Sequence, residues 1–137
     1  MGRILAIDYG LKRTGIAVTD PLQIIASPHD TVPTQGLMAW LVAYLAKEQV
    51  DVLVVGWPTN TDGSATDTTP HVAGLIKRLE AAHPTIPVRK VDERFTTALA
   101  HRSLRMTGAN KKVRHDKGLV DKVSAAIILQ SYLELSQ

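Results

Sequence analysis

The sequence has no cysteine, which excludes disulfides and thiolate metal sites and fits a reducing compartment. It has no apolar run approaching the ~18 residues of a membrane span, and its N-terminus lacks the long apolar stretch of a signal peptide. Ala6 stands where a myristoylation pattern needs Ser or Thr. Together these absences predict cytoplasmic residence and no membrane partner. Histidine clusters are also missing: His29, His71, His83, His101 and His115 show no paired metal spacing. Net charge is small, with 16 Lys and Arg against 13 Asp and Glu. That mild cationic excess is compatible with a polyanionic partner, but where the cations sit matters more than their number.

What is present suits one domain over residues 1–137. Hydrophobic residues make up 45% and charged residues 21% of the chain, a soluble, globular balance. A chain of this length buries about two-thirds of its unfolded surface, enough for a core without staples.

Ile4–Asp8 is apolar up to its final carboxylate, as expected of a strand covered on both faces. Gly15–Thr19 follows a Gly-bounded turn, and Gln23–Ala26, continued toward Val32, reads as a third strand. Leu37, Trp40, Leu41, Tyr44 and Leu45 share one helical face, so Trp40 and Tyr44 read as core. Val52–Val55 is a fourth strand ending at Gly56. A polar loop follows, then a helical stripe of Val72, Leu75, Ile76 and Leu79, closed by His83-Pro84. Val88–Val91 is a fifth strand. "DERFTTALAHRSLRMTG" reads as a helix ending at Gly108, "ANKKVRHDKG" as a basic loop, and Leu119–Leu135 as a final buried helix. The order β-β-β-α-β-α-β-α-α predicts an α/β fold with a mixed sheet. Three antiparallel strands come first; two more join through right-handed crossovers.

Gly10 and Gly15 have the glycine spacing of a phosphate-binding P-loop. Ile16 and Ala17 replace its required Lys-Ser/Thr, and the stretch opens a strand, not a helix. The glycines are better explained by a tight hairpin.

Acidic residues recur at element ends. Asp8 closes the first strand, Asp92 and Glu93 follow the fifth, and Asp121 lies in the first turn of the last helix. The topology predicts that strands one, four and five end on one edge, where open α/β sheets place their sites. The last helix can cross that edge and present Asp121. Converging carboxylates repel one another, and a hard divalent cation would relieve this. Two such ions can hydrolyse a phosphodiester, with Lys12, Arg13 and the basic loop (Lys111, Lys112, Arg114, Lys117) meeting the phosphates. Each residue also has a plainer explanation. Asp8 before Tyr-Gly can form an Asx-turn, Asp121 can favour the helix dipole, and the basic loop can be a hydrated surface. Trp57, where a strand meets a loop, is assigned neither to core nor to function.

The segments "AIDYGLKRTGIAVTD", "VVGWPTNTDGS", "VDERFTT" and "KGLVDKVSAAIILQSYL" together resemble the YqgF (RuvX) family, in the family's order and over nearly the whole chain. The resemblance implies an RNase H-like three-layer fold with strand order 3-2-1-4-5 and helices on both faces. It implies a Mg²⁺- or Mn²⁺-dependent nuclease holding two ions, with Asp8, Glu93 and Asp121 as catalytic metal ligands and Lys12 and Arg13 as the family's "KR" pair. The implied substrate is structured RNA, in 5′-end processing of pre-16S ribosomal RNA beside ribosome assembly particles. Branched DNA, as in Holliday junction resolution, and non-catalytic nucleic-acid binding are the alternatives. No dimer signature is present, so a monomer or weak dimer is expected. The chain departs from the family pattern at Trp57, where Leu is common, and at Thr61, where Met is common.

Overall fold

The computed structural model describes residues 2–60, 62–93 and 117–135, and elements are numbered within that set. They are β1 (Arg3–Tyr9), β2 (Arg13–Thr19), β3 (Ala26–Pro33), α1 (Leu37–Lys47), β4 (Val50–Trp57), α2 (Thr69–Ala82), β5 (Val88–Asp92) and α3 (Lys117–Leu135). The helix expected between Asp92 and Gly108 lies outside the described residues.

The sheet runs β3-β2-β1-β4-β5. β1 pairs antiparallel with β2 and parallel with β4, β2 pairs antiparallel with β3, and β4 pairs parallel with β5. This is the mixed sheet and strand order expected above. The apolar run of β1 is explained by cover on both faces. Leu5 and Ile7 join the core that includes Leu37 and Leu41 of α1 and Val72, Leu75 and Leu79 of α2. Ile4 and Ala6 point the other way, into the core built by Ala125, Ile128, Leu129 and Leu133 of α3. Alternation along the strand therefore assigns Ile4 to Ile7 in turn to one helix layer and the other.

Trp40 stacks on Tyr44 with centroids 5.1 Å apart, and His29 meets both rings edge-on. The pair flanks the core beneath α1, as the helical stripe predicted. α2 starts with proline in its first turn, where the missing N–H costs no helix hydrogen bond.

The third strand is a correction. It begins at Ala26, not Gln23. Gln23 has a φ of 59°, in the left-handed region. The Asp20 carboxylate accepts hydrogen bonds from the backbone N–H groups of Leu22, Ile24 and Ile25, closing residues 20–25 into a turn. These bonds hold the Asp20 carboxyl below its usual 3.8. A depressed native value means the stabilisation is present above the unfolded value and is lost as pH falls through the native one. Asp20→Ala is expected to lower the melting temperature by a few degrees at pH 7. The gap to wild type should narrow as pH drops below 3.8; thermal melts across acid pH check this, and a gap independent of pH would contradict it.

Candidate functional site

β1, β4 and β5 run parallel, so their C-terminal ends lie side by side. Alternation decides which side chains meet there. Ala6 belongs to the core under α3, so Asp8, two residues on, faces the same way. Val54 and Val91 belong to that core too, so Gly56 and Glu93 follow at matching parity. Glu93 stays in register because its N–H donates to the Trp57 carbonyl at 3.1 Å.

Gly56 provides the slot for Glu93. A Cβ there would sit 2.8 Å from Glu93 Oε2 and 2.6 Å from Ile128 Cδ1, closer than real atoms tolerate. The Glu93 side chain lies across this bare backbone and reaches Asp8, with which it shares a side-chain hydrogen bond. Such a bond between two carboxyls needs one proton. Burial and the neighbouring negative charge of Asp8 push Glu93 up to about 9. Burial also raises Asp8, to about 6, while the hydrogen bond from Glu93 opposes that rise and the Asp121 charge adds to it. Burial and mutual repulsion both disfavour the doubly ionised form of this pair.

Asp121 comes from α3. Asp8 lies opposite Gly15 in the β1–β2 ladder, and a Cβ on Gly15 would overlap the Asp121 backbone carbonyl. The helix thus rests directly on β2. Gly15 is required for this close approach, not for a turn conformation: among described glycines only Gly63 has a positive φ. The hairpin explanation of that glycine is corrected accordingly. The Asp121 carboxylate accepts a hydrogen bond from Arg13 Nε at 2.9 Å in a half-exposed ion pair.

The three predicted acids therefore fall at one edge, but not as one tight cluster. Asp8 and Glu93 touch, and Asp121 is turned onto Arg13. Among the described residues no three Asp, Glu or His side chains are close enough to form a metal-binding group. Asp92 has the opposite parity and accepts a hydrogen bond from Thr59 Oγ1 at 2.9 Å. Lys12 is exposed on the hairpin. Arg13, expected to meet phosphate, is engaged by Asp121 instead. Lys117 opens α3, and Lys111, Lys112 and Arg114 lie outside the described residues. The sequence offered no signal for the Arg13–Asp121 pair, whose partners are 108 residues apart. The slot at Gly56 did leave a trace, a glycine ending an apolar strand.

Comparison with known proteins gives a consistent assignment. The RuvX family model, described as "Holliday junction resolvase", matches residues 2–135. A protein of Bacteroides thetaiotaomicron named "Putative pre-16S rRNA nuclease" is 48% identical over 98% of this chain and 97% of its own. Proteins of the same name in Phocaeicola vulgatus and Porphyromonas gingivalis are 49% and 48% identical, each over 98% of this chain and 96% and 97% of their own lengths. Among solved structures, T. thermophilus RuvC in complex with a Holliday junction substrate aligns with a TM-score of 0.58 and 16% identity. That alignment covers 98% of this chain and 96% of that one. At such identity the match speaks to the fold, which is RNase H-like as the motifs implied.

Proposed function

The chain belongs to the RuvX family, and from that premise we propose that it is a divalent-metal-dependent nuclease acting on the 5′ end of pre-16S ribosomal RNA, with Asp8, Glu93 and Asp121 as its acidic site. It is a hydrolase of phosphodiester bonds. The observation that carries the site assignment is the Asp8–Glu93 pair, two carboxyls in hydrogen-bond contact at the edge where three parallel strands end.

The donor set fits a hard cation such as Mg²⁺ or Mn²⁺, since all the ligating atoms are carboxylate oxygens. Bound there, the ion supplies Lewis acidity at the phosphate and acidifies water, as one ion or as a pair. The chain's residues prepare the place. Gly56 admits Glu93, Ile128 walls it on the α3 side, and Glu93 would hold the ion together with Asp8. Arg13 neutralises Asp121 and, half-exposed on the hairpin beside Lys12, is placed to exchange that carboxylate for a substrate phosphate. Lys111, Lys112, Arg114 and Lys117 extend the cationic contact along the polyanion. The chain acts as one domain and as a monomer or weak dimer, in the cytoplasm where ribosomes are assembled. Among the described residues no helix is long and apolar enough to cross a membrane.

Resolution of Holliday junctions is the second reading, favoured by the family's description and by the architecture shared with RuvC. Symmetric cleavage of a four-way junction would call for a two-fold dimer. One experiment separates the readings: incubate the protein with an RNA carrying the 5′-extended 16S end and with a four-way DNA junction. The RNA is expected to be cut with Mg²⁺ or Mn²⁺, to survive in EDTA, and to be cut again once Mn²⁺ is restored. Junction cleavage alone would transfer the assignment to DNA, and no cleavage of either with any divalent ion would end the nuclease reading.

A further inference from the structure

A cleft of about 530 Å³ lies between α2 and β5, away from the acids. Its apolar wall is Trp57, Ile76 and Val88, and Lys77, Lys90 and Glu80 supply its polar groups. The size falls within the ~300–1,000 Å³ of small-molecule and cofactor sites. Lys90 Nζ stands 4.5 Å from the centre of a Trp57 ring. Across β5 a second cleft, of about 230 Å³, is lined by Tyr132 and Leu135, and Arg89 and Lys90 border both clefts. β5 ends the strand order. It thus carries two exposed cations between two clefts, each with an aromatic ring.

The larger cleft lies on the α2 face of the sheet, opposite the face that carries the acids, and the two are joined through the backbone at Trp57. Trp57 is the residue after Gly56, and its carbonyl accepts the Glu93 N–H. An aromatic surface next to fixed cations matches the two faces of a single-stranded polynucleotide, a flat base and a charged backbone. Three cations (Lys77, Arg89, Lys90) outweigh the one acid in the lining, so the charge is complementary to phosphate. Glu80, which repels phosphate, can accept a hydrogen bond from a ribose 2′-hydroxyl, a group DNA lacks.

Resting on the nuclease reading, we propose that β5 is a binding track for a single-stranded segment of the RNA substrate. Trp57 stacks a base, and Arg89, Lys90 and Lys77 hold its phosphates. The exposed Lys90–Trp57 contact is weak and is exchanged for a base on the ring and a phosphate on the ammonium.

Binding is measured by anisotropy of a labelled oligouridylate of about a dozen nucleotides, within the ~4–16 nucleotide site sizes known for single-strand binders. EDTA throughout makes the result independent of cleavage. The full chain is used on a Trp40→Phe background, which leaves Trp57 as the remaining tryptophan. Saturation with RNA is expected to quench Trp57 emission. Trp57→Leu is expected to weaken binding roughly tenfold. Arg89→Gln with Lys90→Gln, both exposed positions, should weaken it similarly and reduce the slope of log affinity against log salt by about 1.4. Unchanged affinity and slope in the double variant, or unchanged emission at saturation, overturns the track even if Trp57→Leu fails to fold. Equal affinity for the matching single-stranded DNA overturns its assignment to RNA. A protein that binds this way but cuts nothing loses the nuclease reading and keeps the track.

Discussion

Asp8→Asn is expected to abolish phosphodiester cleavage, by roughly a thousandfold or more, and to raise the melting temperature of the metal-free protein. Loss of activity follows from losing a central carboxylate of the site, where charge stabilisation is usually the largest catalytic contribution. The gain in stability follows from the same electrostatics. Asp8 and Glu93 are both raised, chiefly by burial, from 3.8 to about 6 and from 4.5 to about 9. In the unfolded chain both ionise near their usual values, while the folded protein retains protons. Above pH ~4 the native state binds more protons than the unfolded one, so stability falls as pH rises. The favourable contribution is complete below the unfolded values and is gone once pH has passed the native ones. Asparagine keeps the shape, can still hydrogen-bond Glu93, and removes one charge. A gain of about 1 kcal/mol, or roughly 3–5 °C for a chain of this size, is expected at pH 8, shrinking toward pH 4. Parallel melts and cleavage assays test both halves. A variant that cuts normally removes Asp8 from the site, and one that melts lower at pH 8 than wild type refutes the electrostatic account.

Gly15→Ala is expected to have the larger structural effect. One added carbon would overlap the Asp121 carbonyl, which is helix backbone and cannot rotate aside as a side-chain tip can. Either α3 lifts from β2 or the β1–β2 ladder deforms. Both weaken the packing of Ala125, Ile128 and Leu129 on Ala6, Ala17 and Val54. Overpacking of this kind costs about 1–3 kcal/mol and often more against rigid backbone, so a loss of about 3 kcal/mol and of most cleavage is expected. Urea denaturation measures the first and the RNA assay the second. A substitution tolerated within 0.5 kcal/mol would mean that α3 does not sit on β2 as described.

Much of this arrangement was legible in the chain. The uninterrupted apolar runs at Ile4–Ile7 and Val52–Val55 announced strands covered on both sides, and the stripes from Leu37 and Val72 announced the helices that cover one of them. The acids were visible as carboxylates at the ends of such runs, and strand alternation explains why Glu93 enters the site while Asp92 leaves it. What stayed hidden depended on contacts distant in sequence. Gln23 gave no sign of a left-handed backbone, because the turn is imposed by hydrogen bonds to Asp20. Gly15 looked like a turn residue because hairpin glycines and close-approach glycines are spelled alike. The pairing of Arg13 with Asp121 exists only once α3 has crossed β2.

The position of α3 has a consequence for how such an enzyme is made. Asp8 and Glu93 are synthesised first, on strands whose second core is completed only by Ala125, Ile128 and Leu129. The third acid arrives with that cover. A growing chain still attached to its ribosome therefore carries an unfinished blade, and the proposed acidic site is complete only when the closing helix docks.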